Sequence, residues 1–313
     1  MTEKFDIIKG YIKILLKFGF IRKLISVKIQ ATDLNFSYGS RRVLQVTDVS
    51  FEQGKAYGIV GKNGVGKTTF FKCLVNIITN YRGNVLIDGL EVRTNLDVLG
   101  NVGIVLDDMN LYRNRTGMFN LKYFAGLRGG TPIDRVQELA HELEIADALE
   151  QRVSTYSLGM MKKLQLLISL MNDAEILIFD EPFRGLDAKT VDWFRKYLIE
   201  LKEEGRTILI SSHVQDDIEV ISDFVFVLEN GDFKHEFDLK DNTQKFIYSL
   251  EVNDVYSLKS LLKDLGIAFE EIGKLVQFVA HEDDYRNLFK QAIANDIEFH
   301  QIKKEVQFAK YVK

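Results

Sequence analysis

The string Gly61-Lys62-Asn63-Gly64-Val65-Gly66-Lys67-Thr68-Thr69 constrains this chain more than any other stretch, because of what stands on either side of it. Residues 55–60 before it form an apolar run ending Gly58-Ile59-Val60, the pattern of a buried strand. Residues 69–76 after it contain no helix breaker. Strand, glycine-rich turn and helix thus follow in that order. Glycines let the backbone turn so tightly that successive N–H groups face inward, and the helix start adds the positive end of its dipole. Such a turn cradles phosphate oxygens. The spacing of Gly, four residues, then Gly-Lys-Thr sends Lys67 to the terminal phosphates and puts the Thr68 hydroxyl in the oxygen shell of a Mg2+ ion.

Further strands are expected at 84–88, 102–106, Ile176–Asp180, Thr207–Ser211 and 223–228. Nearly unbroken apolar runs such as 176–179 suit strands buried on both faces, the habit of parallel sheets covered by helices. Residues 27–36 and 49–52 alternate more and are expected to form an antiparallel portion. The fold class over residues 29–237 is therefore α/β. A polar break at 240–244 separates a third region, 244–313, with the order strand (246–252), helix (255–265), strand (268–271), strand (275–280), helix (283–295), strand (297–302). That order suggests a small ferredoxin-like α+β domain, and residues 305–312 are read as a short terminal helix.

Residues 1–28 carry seven basic side chains (Lys4, Lys9, Lys13, Lys17, Arg22, Lys23, Lys28) against Glu3 and Asp6. On a helix, Asp6, Lys9, Lys13 and Lys17 share one side, with Ile8, Ile12, Leu15 and Phe18 on the other. Two readings stand: a basic amphipathic helix at a membrane interface, or a helix packed on its own domain with solvated lysines. The lysines interrupt any secretory h-region. No stretch of about 18 uninterrupted apolar residues offers a bilayer span. The formal charge of −4 supplies no overall attraction to nucleic acid, and one cysteine, Cys73, leaves no intrachain disulfide or clustered-thiol metal site.

The run Glu175-Ile176-Leu177-Ile178-Phe179-Asp180-Glu181-Pro182 is an apolar strand ending in two acids. At the carboxyl end of a strand in an open α/β sheet, Asp180 can hold Mg2+ through water, and Glu181 can polarise an attacking water.

Together these residues resemble the nucleotide-binding subunits of ABC transporters, over residues 29–237. Tyr38, in Phe36-Ser37-Tyr38-Gly39, stands where that family stacks an aromatic on adenine. Tyr156-Ser157-Leu158-Gly159-Met160 stands at the family's signature, and Ser157 also suits the N-cap of an apolar-periodic helix carrying Leu164, Leu167, Ile168 and Met171. Gly185-Leu186-Asp187 matches the loop through which two such subunits touch, and His213, in Ser211-Ser212-His213, matches a γ-phosphate-contacting histidine.

Two departures are visible. Asp107, followed by Asp108, replaces the family's glutamine after the strand at 102–106. A carboxylate still offers oxygen to Mg2+ but adds charge and lacks the amide donor, so metal contact is expected to survive with altered coupling; a plain strand-end acid is the alternative. In the signature, Leu158 and Met160 replace glycine and glutamine, while Ser157 and Gly159 remain.

The resemblance implies an ATPase using ATP and Mg2+, peripheral on the cytoplasmic face of the membrane. It implies integral membrane permease subunits and a second ABC ATPase chain as partners, with no nucleic acid. Each site would take the loop 61–69, Asp180, Glu181 and His213 from one chain and Ser157, Gly159 and Met160 from the other. The string Tyr-Ser-Leu-Gly-Met looks like bacterial exporters with separate membrane subunits. The alternatives are a soluble ABC protein acting on ribosomes or nucleic acid, and a regulatory subunit that binds nucleotide without hydrolysis.

Overall fold

The computed structural model describes residues 27–107, 109–130, 133–241 and 244–312. The expected N-terminal amphipathic helix and Asp108 lie outside the described residues. The described residues divide into two compact units between Glu236 and Phe237.

The first unit opens with a long hairpin, β1 (Val27–Tyr38) and β2 (Arg41–Glu52), paired antiparallel. The apolar positions of β1 change phase midway: Ile29 and Ala31 are buried, then Leu34 and Phe36. A strand of period two cannot bury both pairs on one face unless a residue is inserted. Asp33, at φ 51°, supplies that irregularity, and the register with β4 (Arg82–Ile87) shifts between Thr32 and Asn35. A Cβ on Gly83 would come within 2.2 Å of Asp33 O, so glycine is what lets the partner strand pass the bulge. With β5 (Leu90–Glu91) the first sheet runs β2-β1-β4-β5, and its described pairings are antiparallel, as the alternating patterns anticipate. Lys28, counted above with the basic N-terminal region, belongs to β1. It is buried and pairs with Asp88 (2.8 Å) and Glu175 (2.6 Å).

The second sheet, β10-β9-β3-β8-β7-β6, is built of β3 (Ala56–Val60), β6 (Val102–Val105), β7 (Ile176–Asp180), β8 (Thr207–Ser211), β9 (Phe224–Glu229) and β10 (Asp232–Asp238). Strands β9, β3, β8, β7 and β6 pair in parallel, and β3, β7 and β8 are buried throughout. Helix α1 (Lys67–Leu74) contributes Phe70, Phe71, Cys73 and Leu74 to one core with Phe51 of β2 and Phe226 of β9. It starts two residues before the expected 69–76 because Gly66, at φ 120°, completes the turn early. It stops at Leu74 because Asn76, at φ 57°, has left the helical region. Burial in this core pushes the Cys73 thiol up to about 12, so it remains a protonated packing group.

Between β6 and β7 lie α2 (Gly117–Gly126), α3 (Ile133–Glu142) and α4 (Leu158–Leu170). Helix α4 buries Leu164, Leu166, Leu167 and Ile168, and it approaches β6 so closely that a Cβ on Gly103 would meet Ser169 O at 2.4 Å. Helices α5 (Ala188–Glu203) and α6 (Gln215–Ile221) follow β7 and β8.

The second unit follows the order β11 (Lys245–Val252), α7 (Val255–Asp264), β12 (Phe269–Ile272), β13 (Leu275–His281), α8 (Glu282–Ala294), β14 (Phe299–Val306) and α9 (Ala309–Val312). Its sheet runs β12-β13-β11-β14, antiparallel throughout, over a core holding Tyr248, Leu258, Leu262, Phe278 and Leu288. The last strand extends to Val306, because residues 299–306 pair along β11, and the terminal helix shrinks to one turn.

Candidate functional site

The carboxyl ends of β3, β6, β7 and β8 converge on a cleft of about 480 Å3. It is lined by Asn63, Gly64, Gly66, Lys67, Thr68, Thr69, Asp107, Asp180, Glu181, Arg184 and His213. Open parallel sheets place ligands at this edge, where strands end and helix N-termini begin. The loop is held there by contacts only glycine permits. A Cβ on Gly61 (φ 151°) would sit 2.3 Å from Leu228 O. One on Gly66 would press Val43 and Leu44 of β2 at 3.1 Å. Gly66 caps α1 with no side-chain hydrogen bond, leaving the first N–H groups of that helix directed at the cleft.

Lys67 is 8% exposed, and its ammonium donates to Gly61 O at 2.7 Å, so the cation closes over its own loop. Burial lowers its pKa, against the pull of Glu181 and Asp180. The Thr68 hydroxyl hydrogen-bonds Asp180 Oδ2, while Ser211 Oγ donates to Asp180 Oδ1 at 2.6 Å. Two hard oxygen donors, a hydroxyl and a carboxylate, are thus already adjacent, a set that suits Mg2+. Ser211 also accepts the Glu181 N–H at 3.1 Å. Its role was not read from the sequence, although it stands in the quoted string Ser211-Ser212-His213; no spacing rule distinguishes a hydroxyl that braces a strand end.

Glu181 stands beyond Asp180 at φ 50°, a left-handed conformation for a non-glycine residue. Its Oε2 accepts the His213 N–H at 3.3 Å, and Oε1 lies 3.2 Å from His213 Nε2. Oε1 is buried and has no aligned hydrogen-bond donor among the described residues. Burial raises the Glu181 pKa, with His213 and Lys67 pulling it back and Asp180 adding to the rise. A half-buried carboxylate with an oxygen that lacks an aligned donor in this cleft can orient a water and take its proton.

Tyr38, half exposed at the end of β1, packs edge-on against Phe36 at 4.8 Å. The same hairpin supplies Val43 and Leu44 beneath Gly66, which sets Tyr38 on the element bordering the loop. Asp107 lines the cleft, but its carboxylate is engaged: Oδ2 pairs with Arg184 at 3.0 Å and Oδ1 lies 3.9 Å from Lys162. Neither cation was singled out in the sequence, where each reads as an ordinary charge beside a motif.

Ser157, Gly159 and Met160 are not among the residues lining this cleft. Ser157 caps α4, accepting the Met160 N–H at 3.2 Å, and Gly159 packs so near Gly185 that a Cβ would reach its carbonyl oxygen at 2.8 Å. Asp187 caps α5 through the Thr190 N–H (2.9 Å) and pairs with Lys163 (3.1 Å), contacts that hold its carboxyl well below the usual range. The start of α4 and the loop 185–187 therefore form one exposed platform.

Comparison with known proteins places this architecture. The family described as "ABC transporter" matches residues 44–184. The Bacitracin transport ATP-binding protein BcrA of Enterococcus faecalis is 34% identical over 215 residues, covering 68% of this chain and 70% of that protein. The Lantibiotic transport ATP-binding protein SrtF of Streptococcus pyogenes is 30% identical over 221 residues, 70% of this chain and 94% of that one. A solved dimeric ATP-binding cassette, in a post-hydrolysis state bound to ADP and Pi, superposes with a TM-score of 0.62 at 19% identity. It covers 68% of this chain and 99% of that chain, and it shares the fold.

Proposed function

We propose, from the premise that this chain belongs to the ATP-binding proteins of ABC transporters, that it powers an exporter whose membrane-spanning subunits are separate chains. The chain is an ATPase, and the cleft and the family together support the following roles for its residues. The backbone of residues 61–69 and the Lys67 ammonium bind the phosphates, and Tyr38 stacks on adenine. Thr68 and Asp180 hold Mg2+, which when bound neutralises charge on the phosphate oxygens. Glu181 accepts the proton of the attacking water, while His213 fixes that carboxylate and reaches the γ-phosphate.

A second ATPase chain completes each site from the platform formed by Ser157, Gly159 and Met160, with Asp187 at the contact. That platform is at least partly exposed and does not line its own chain's cleft, which supports a head-to-tail pair. Among the described residues no helix is long and apolar enough to cross a membrane, in keeping with a peripheral subunit on the cytoplasmic face. Residues 1–28 are taken as an N-terminal extension whose last two residues enter β1, 29–237 as the ATPase domain and 244–313 as a ferredoxin-like domain. The sheet order β12-β13-β11-β14 supports that last reading.

The observation that carries the proposal is Glu181 itself, half-buried, raised in pKa and braced by Ser211 and His213 beside the Thr68–Asp180 pair. Glu181→Gln is expected to keep ATP binding, measured by titration of a fluorescent analogue, and to lower turnover by about 10²-fold or more. Turnover at the wild-type rate would overturn the assignment.

A further inference from the structure

Lys162 is a charged side chain that the proposed chemistry does not use. It lies on α4, is 4% exposed, and has Asp107 as its ion-pair partner at 3.9 Å. A buried ammonium without a counter-charge is costly, so the two residues belong together. One turn further along the same face, Gln165 Nε2 donates to Met109 O at 2.8 Å. Helix α4 thus grips the segment after β6 at two points, one ionic and one through the backbone. Arg184 adds a third arm, reaching Asp107 Oδ2 at 3.0 Å from the loop between Glu181 and Gly185. That loop in turn packs against the start of α4, where Gly159 and Gly185 approach.

We propose that Lys162 and Arg184 are positioning residues of the ATPase site that act through Asp107. They hold its carboxylate in ion pairs with α4 and the loop after Glu181, at the edge of the cleft that Thr68 and Asp180 also line. The strand end beside the phosphates, the loop after Glu181 and the helix carrying Ser157 then shift as one body. The charges explain each other: an amide at position 107 would leave Lys162 without its ion-pair partner and with only the more distant pull of Asp180 and Glu181, and an apolar residue at 162 would leave Asp107 tied only to the exposed Arg184. The pairing therefore accounts for the acid that stands where the resemblance leads one to expect glutamine. It rests on the reading of residues 61–69 and Glu181 as the hydrolytic site.

The test is a double-mutant cycle in the full chain with Asp107→Asn, Lys162→Met and the pair. Thermal unfolding is read without nucleotide, and kcat, the KM for ATP and the half-saturating Mg2+ concentration are read with it. Asp107→Asn is expected to lower the unfolding midpoint, because it strands the buried ammonium, and adding Lys162→Met is expected to restore it. Each single change is expected to lower kcat about tenfold, with the ATP KM and Mg2+ requirement moving less than about threefold, and the double change to be no worse than either. Lys162→Arg should recover most of kcat. Arg184 is exposed, so Arg184→Gln should fold normally and still lower kcat severalfold at unchanged KM; it decides the matter if Lys162→Met does not fold.

Additive effects on the midpoint would overturn the proposal. So would a Mg2+ requirement raised tenfold or more by Asp107→Asn alone, which would make Asp107 a metal ligand. The unfolding cycle is read without turnover, so it stands or falls separately from the Glu181→Gln experiment.

Discussion

Glu181 holds a left-handed backbone conformation because its N–H is taken by Ser211 and its carboxylate by His213, both from the end of the neighbouring strand. Local strain of this kind persists only where surrounding contacts overdetermine it. The same enclosure raises the Glu181 pKa through burial. Its native form therefore binds a proton at pH values where the unfolded form has lost it, and stability falls as pH rises through that interval. Glu181→Gln removes this partly desolvated charge, so the unfolding midpoint is expected to rise by about 2–4 °C at pH 8 and by less at pH 5. Calorimetry at the two pH values checks this, and an equal shift at both would exclude the electrostatic cause. Asp180 and Glu181 were legible in the sequence from an apolar run that ends in acids. Ser211 was not assigned, because its part depends on which strand lies beside β7.

At the scale of elements, helix starts carry the site. Helix α1 begins at a glycine with no side-chain cap, which leaves its N–H groups for phosphate. Helices α4 and α5 begin at Ser157 and Asp187, whose side chains take their own first-turn donors. Asp187→Ala is expected to cost about 1 kcal/mol through loss of the cap. It also deprives Lys163, which is buried and pairs with Asp187, of a carboxylate. Urea unfolding checks the sum; a change within error would mean that neither contact stabilises α5. Ser157 was legible as a cap from its place before an apolar-periodic helix. The phase change in β1 is a different case: the sequence shows apolar residues at 29, 31, 34 and 36, and only pairing with β4 reveals the bulge at Asp33. Helix and strand limits moved by a few residues at α1 and β14 for a related reason, since they depend on a backbone reversal at Asn76 and on the length of β11 available for pairing.

For the molecule as a whole, one cleft in the first unit holds Lys67, Thr68, Asp180, Glu181 and His213, while Ser157, Gly159 and Met160 are not part of its lining. Such a chain, on the proposed function, finishes its site with a second one. In Glu181→Gln, which is expected to trap bound nucleotide, ATP should convert the protein to a dimer in size-exclusion chromatography with light scattering. Ser157→Arg introduced into that variant should keep it monomeric while nucleotide binding persists. Dimerisation indifferent to Ser157→Arg would count against the shared site. The second unit has its own sheet and core, and its strand-helix order was readable from periodicity because local apolar patterns set it.

The phosphate loop, the acids at the end of β7, the α/β class and the order of elements were determined by the sequence alone, because each is written in contiguous residues with their own spacing. What only the tertiary structure decided are the relations between distant charges. Lys28, placed by the sequence with a basic N-terminal region, is buried between Asp88 and Glu175. Asp107, expected beside Mg2+, lines the cleft with Thr68 and Asp180 while pairing with Arg184 and Lys162. A charge takes its meaning from the partner that folding brings within a few ångströms, and no spacing along the chain specifies that partner.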